Sequence, residues 1–177
     1  MMSMSMKSSS APPLPEEIDM KAIFPTAFAI AMFAGSALAL ANAQHLDDRL
    51  KRGDDVVRSL NNGQPQANLE RMRQEFPFLA QATEGYALGE VWSRPGLDNR
   101  TRQLAAVAVM AALGERDLMK VHAGYALNVG ATDEELKEMI YLITVPAGFP
   151  KAIAASRTLA ELFEERRANA ATGVERK

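Results

Sequence analysis

The chain has 177 residues, 20 lysines and arginines against 22 aspartates and glutamates, two histidines and no cysteine, for a formal charge of −2. That balance, with no basic block anywhere, argues against a nucleic-acid partner. The missing thiols exclude disulfides, thiolate nucleophiles and thiolate metal sites together. A single domain with a small-molecule or protein partner in water is what the composition leaves.

In chain order, residues 1–19 carry Met-Ser repeats, Ser8-Ser9-Ser10 and Pro12-Pro13 and read as a disordered or upstream extension with no assigned function. Residues 20–43 have a short basic start at Met20-Lys21, an apolar core from Ala22 to Leu40 and the small-x-small ending Ala41-Asn42-Ala43. This predicts a secretory signal peptide cut after Ala43, a periplasmic or secreted mature protein, and no membrane contact after cleavage. The alternative is an uncleaved anchor, because the apolar run approaches the roughly 20 residues of a spanning helix. The many alanines and the Ala-Asn-Ala ending favour cleavage, and without cysteine a lipoprotein is excluded.

Residues 44–168 are predicted to form one all-α bundle of six to seven helices, followed by a frayed tail over 169–177. Leu46, Leu50, Val56, Val57 and Leu60 share one helical face, although Gly53 weakens its middle. Asn61-Asn62-Gly63-Gln64-Pro65 breaks the chain. A short segment, Leu69 to Gln74, precedes Phe76-Pro77-Phe78, where proline suits a first helical turn. Leu79, Ala82, Tyr86 and Glu90 then follow a helical repeat. Arg100 to Leu113 is apolar nearly all round and should be buried on all sides, with Gly114 as its cap. The helix from Glu115 to Val129 is closed by Gly130, and Thr132 to Glu135 is a capping box for the next helix, with Leu136, Met139, Ile140 and Ile143 inward. Pro146 and Gly148-Phe149-Pro150 break the chain before a last helix from Lys151 to about Arg167. So much apolar surface predicts an oligomer.

The candidate chemistry gathers at the end of the Glu90 helix. Glu90 closes an apolar stripe, an expensive place for a carboxylate. Pro95 and Gly96 should make Trp92 to Leu97 a tight corner that points Arg94 back over Glu90. His122 lies in the stripe Leu118, Val121, His122, Tyr125, Ala126 and Val129, and so also faces inward. The bland readings are a core histidine held by a backbone carbonyl, a structural Glu90–Arg94 ion pair and Trp92 as a core or interface anchor. The functional readings are a proton-transfer pair, Glu90 and His122, and arginine forks at Arg94 and Arg102 for a substrate carboxylate. One interior histidine and one carboxylate fall short of a catalytic metal's ligands.

These words match a known pattern. Gly89-Glu90-Val91-Trp92-Ser93-Arg94-Pro95-Gly96-Leu97, Thr101-Arg102-Gln103-Leu104, the spacing from Leu118 through His122 to Gly130-Ala131-Thr132 and Glu135, and Gly148-Phe149-Pro150 resemble the carboxymuconolactone decarboxylase family. The resemblance extends from about Arg49 to about Phe163. It implies an alkylhydroperoxidase D-like fold, homotrimers or homohexamers, a small carboxylated lactone or conjugated acid as substrate, and decarboxylation with no cofactor. It places the catalytic imidazole on His122. Glu90 is then its partner or an alternative proton relay, and Arg94, Trp92 and Arg102 are substrate-binding candidates. The related peroxidases use a Cys-x-x-Cys-x-x-x-His motif with an upstream glutamate, and those positions hold Glu115, Leu118 and Gln103 here, which excludes thiol peroxidase chemistry. The export signal departs from the intracellular pathway of the namesake and leaves the substrate open. The competing expectations are a lactone isomerase or hydrolase on the same site, and a non-catalytic oligomer that binds a small acid or scaffolds a partner.

Overall fold

A computed structural model describes the backbone of residues 20–173 and side chains from residue 40 onward. The expected extension over 1–19, most side chains of the expected signal peptide and the last four residues of the expected tail lie outside the described residues. The chain divides into two units, Met1–Gln44 and His45–Lys177. In the first, the described backbone is helical. Among the described residues no helix is long and apolar enough to cross a membrane.

The described residues are helical with no strand. The elements are α1 (Met20–Leu60), α2 (Ala67–Glu75), α3 (Pro77–Ala82), a π-helical segment continuing α3 (Thr83–Trp92), α4 (Asn99–Leu113), α5 (Arg116–Asn128), α6 (Asp133–Ala147) and α7 (Phe149–Ala171). Their ends are set by local chemistry. Asp98 caps α4 by accepting from the Thr101 amide at 2.8 Å. Gly114, at φ +88°, closes α4 in the left-handed region that side chains rarely adopt. Thr132 and Glu135 form the expected capping box of α6. Pro146 does not break α6 but sits one residue before its end, and α7 starts at Phe149, two residues earlier than expected. It also runs on to Ala171, past the point at which the chain was expected to fray.

The second unit is built around α4, which packs on α5, α6 and α7. Its buried face, Gln103, Ala106, Val107 and Ala111, meets Met119, Ala123 and Ala126 of α5 and Leu136, Ile140 and Ile143 of α6. Alanine at so many contact positions lets the helices approach closely. The expectation that α4 is buried all round holds on this face alone: Val109 and Leu113 are 53% and 62% exposed. Val145 and Phe149 nearby in sequence on α6 and α7 are likewise uncovered. On α5 the inward residues are Met119, Ala123, Tyr125 and Ala126, while Leu118 faces out.

The segment before the corner differs most from expectation. The stripe Leu79, Ala82 and Tyr86 is exposed, and Ala80, Glu84, Gly85 and Gly89 are buried instead. The inward face is already Ala80 within α3, and the widened π turns that follow, in which the Ser93 amide reaches the Leu88 carbonyl at 3.0 Å, carry it on to Glu84, Gly85 and Gly89. Glycine explains why α1 accepts this. A Cβ on Gly89 would stand 2.1 Å from the Arg49 carbonyl oxygen, and one on Gly53 2.3 Å from that of Glu84. Gly53, which costs helix propensity in α1, is therefore what permits the backbones to touch. Buried Glu84 is satisfied by Arg73 of α2, whose Nε donates at 2.7 Å.

Gly89→Ala and Gly53→Ala should each lower stability by about 1–3 kcal/mol, the cost of overpacking a backbone contact. Gly124→Ala, mid-helix in α5 with open space at its Cβ, should raise stability by about 0.5–1 kcal/mol. Thermal unfolding of the three variants checks this, and shifts of the same sign would show that the crossing is not tight.

Candidate active site

The π segment ends at Trp92, and the chain turns through Ser93 to Asp98 into α4. Arg102, one turn into α4, braces this corner. Its Nη2 donates to the carbonyls of Arg94 at 2.7 Å and Leu97 at 3.3 Å, and its Nη1 to that of Val91 at 3.4 Å. The guanidinium carbon also lies over the Trp92 ring, 6.0 Å from the centroid. The fork that could hold a substrate carboxylate is thus occupied by backbone carbonyls.

Held in this way, Trp92 stacks on His122 with ring centroids 5.2 Å apart and planes 9° from parallel. Tyr125 meets the imidazole edge-on at 6.2 Å. The Nδ1 atom of His122 lies 2.8 Å from Oε1 of Gln103, a side chain with no exposed surface. Burial lowers the His122 pKa from its usual 6.5, since desolvation disfavours the imidazolium. Burial likewise pushes the Tyr125 hydroxyl up to about 12. The amide nitrogen of Gln103 is sealed from solvent and has no partner among the described residues. Such an orphan donor costs about 1–3 kcal/mol in a folded chain.

Glu90 is placed differently from expectation. Its partner is Arg49 of α1, at 2.7 Å, and no hydrogen bond joins it to Arg94 or His122. The Arg49 guanidinium holds the Glu90 carboxyl below the usual carboxylate range. Around it, Arg52 Nε and Ser93 Oγ both donate to the Gly89 carbonyl, at 3.0 and 2.7 Å. Arg94 makes no ion pair with Glu90. It is exposed, forms no ion pair among the described residues and lines an open groove of about 440 Å³ with Arg52, Trp92 and two carboxylates, Asp55 and Asp98; His122 lies behind Trp92 and does not line it.

The structure therefore brings together Trp92, His122 and Arg102, puts Arg94 on a groove that shares Trp92, and leaves Glu90 with α1. Sequence reasoning missed Arg49 and the role of Gln103. An amide on the α4 face shared with Val107 and Ala111, at steps of four, was a readable sign of a buried polar contact. Nothing local marked Arg49, 41 residues from its partner. Among the described residues no three His, Asp or Glu side chains are grouped as metal ligands would be.

The model of the carboxymuconolactone decarboxylase family matches residues 77–161, from α3 into α7, a stretch that includes Glu90, Trp92, Arg94, Arg102 and His122. A 4-carboxymuconolactone decarboxylase of Acinetobacter baylyi is 40% identical over 99 residues, covering 55% of this chain and 71% of that protein. An uncharacterised protein of Methanocaldococcus jannaschii is 28% identical over 98 residues, 55% of this chain and 91% of its own. A nitrosuccinic acid decarboxylase of Metarhizium robertsii is 32% identical over 89 residues, 48% of this chain and 61% of its own. Two relatives so named, one 40% identical across most of its length, make the kinship one with decarboxylases, and the chain belongs to the carboxymuconolactone decarboxylase family.

Proposed function

We propose that the protein is a cofactor-independent carboxy-lyase acting on a small carboxylated lactone or a similar conjugated acid, with His122 as the proton donor. The observation that carries this reading is the buried imidazole stacked on Trp92, itself a wall of the groove bearing Arg94 and Arg52. The names of the relatives support the reaction class. Carboxymuconolactone and nitrosuccinic acid share a carboxylate attached to a skeleton with its own electron acceptor, a conjugated lactone carbonyl in one and a nitro group in the other.

In the lactone, the bond to the carboxylate carbon breaks, CO2 leaves, and the electron pair enters the conjugated carbonyl as a dienolate. One proton must then reach carbon. Arg94 and Arg52 supply cations for the substrate's negative charge, on a groove wall that also carries Asp55 and Asp98, and His122 supplies the proton, to be recharged from water. An imidazolium whose pKa is lowered by burial gives its proton up more readily than a free one. In this reading Glu90 acts at a distance from the ring, as the Arg49-bound anchor of the π segment, and Arg102 positions Trp92 without touching substrate. Arg94 is the carboxylate contact.

The test is CO2 release and loss of the conjugated ultraviolet absorbance with γ-carboxymuconolactone. The native chain should do both, His122→Gln should lose at least about 100-fold in turnover, and Arg94→Ala should raise KM roughly tenfold with the fold intact. Absorbance loss without CO2 would replace the lyase with an isomerase or hydrolase, and full turnover by His122→Gln would remove the histidine from the mechanism.

The uncovered side chains of α4, α6 and α7 support a second part of the reading, self-association as a homotrimer or homohexamer. Sedimentation at micromolar concentration should give three or six times the chain mass, and a monomer would contradict it.

A further inference from the structure

Gln103 is the most deeply buried polar side chain among the described residues, at 0% exposure against 3% for Thr158 and 7% for Glu84. A primary amide offers two donors and an acceptor. Here the acceptor is used, on Nδ1 of His122 at 2.8 Å, and the donors meet nothing. A methionine would fill the same space between α4 and α5 without an orphaned nitrogen. An orphaned donor works against stability, and the one bond the amide does make is its contact with the ring.

That contact constrains chemistry. A carbonyl oxygen only accepts, so Nδ1 must carry hydrogen in both the neutral and the protonated ring. We propose that Gln103 is a positioning residue whose Oε1 locks His122 in the Nδ1–H tautomer, making Nε2 the one atom through which the imidazole releases and regains a proton. The tautomer rests on Oε1 being the amide atom that faces the ring at 2.8 Å, and its use in proton delivery rests on the lyase reading. The other ionisable groups about the ring are Tyr125, edge-on from the same helix, and Arg102, over the Trp92 ring, and neither is hydrogen-bonded to it. An amide at this position leaves the imidazolium without a counter-charge, whereas a carboxylate would hold the proton more tightly.

The chain's two histidines make the test direct, because ring nitrogen NMR of the 15N-labelled protein resolves His122 against His45. At about pH 8, above an ordinary histidine's titration, the native protein should show His122 with a protonated Nδ1 and a bare Nε2. Gln103→Met should melt no lower than the native chain yet lose this preference, with kcat down at least about tenfold and KM little changed. Gln103→Glu, which keeps an acceptor on Nδ1, should restore the tautomer and raise the ring's titration midpoint. A native His122 protonated on Nε2, or a tautomer unmoved in Gln103→Met, would overturn the proposal. A native Nδ1–H tautomer in a chain that releases no CO2 would leave this inference standing and sink the lyase reading. His122-dependent turnover with an Nε2–H ring would do the reverse.

Discussion

Two backbone carbonyls, those of Arg49 and Glu84, lie where side chains on Gly89 and Gly53 would stand. The direct backbone contact between α1 and the π segment decides the direction in which the π segment leaves α3. From that direction follow the Arg49–Glu90 pair, the place of Trp92 and the start of the corner. Arg102 then fixes the corner from α4 through three carbonyls, and Trp92 reaches His122 as a consequence. The site is thus assembled by helix approach at one end and by a guanidinium brace at the other. Both depend on residues that touch no substrate in the proposed mechanism.

What this assembly delivers is an imidazole with a neutral partner. A histidine paired with a carboxylate would be held charged, and it would be a reluctant acid. Here burial favours the neutral ring, and the amide oxygen on Nδ1 brings no counter-charge to oppose it. The carboxylate that might have served as the partner is neutralised by Arg49 instead. Decarboxylation with an internal electron sink asks for one proton at one carbon, and a weakly held proton on a fixed ring suits that demand better than a buried ion pair, which would cost several kcal/mol to disassemble.

The sequence disclosed most of the bundle because its helix ends are chemically explicit. Gly114 and the Thr132–Glu135 box each mark a boundary that the structure keeps. His122 and Trp92 could be singled out from residue type and spacing, and the matching motif words placed them together. The phase of the Glu90 helix could not be read, because an ordinary helical repeat puts Leu79 and Tyr86 inside, whereas the π turns put Glu84, Gly85 and Gly89 there. A single helix cannot announce its inward face, since the glycine it packs against, Gly53, lies about thirty residues earlier in the chain. The same holds for Glu90, whose partner on α1 is distant in sequence. Val109 and Leu113 show a different kind of gap: hydrophobicity alone does not say which side of a helix its own chain covers.

The pH dependence of kcat/KM for the native protein is the direct test of the proposed proton transfer from the buried His122. In the proposed mechanism the protonated ring is the active form, and it is populated below its pKa, which burial lowers from the usual 6.5. The rate should therefore be greatest on the acid side and fall as pH rises through a midpoint below that value. A rate that climbs through the same range, or one that stays level between about pH 5 and 8, where an ordinary histidine changes charge, would contradict it.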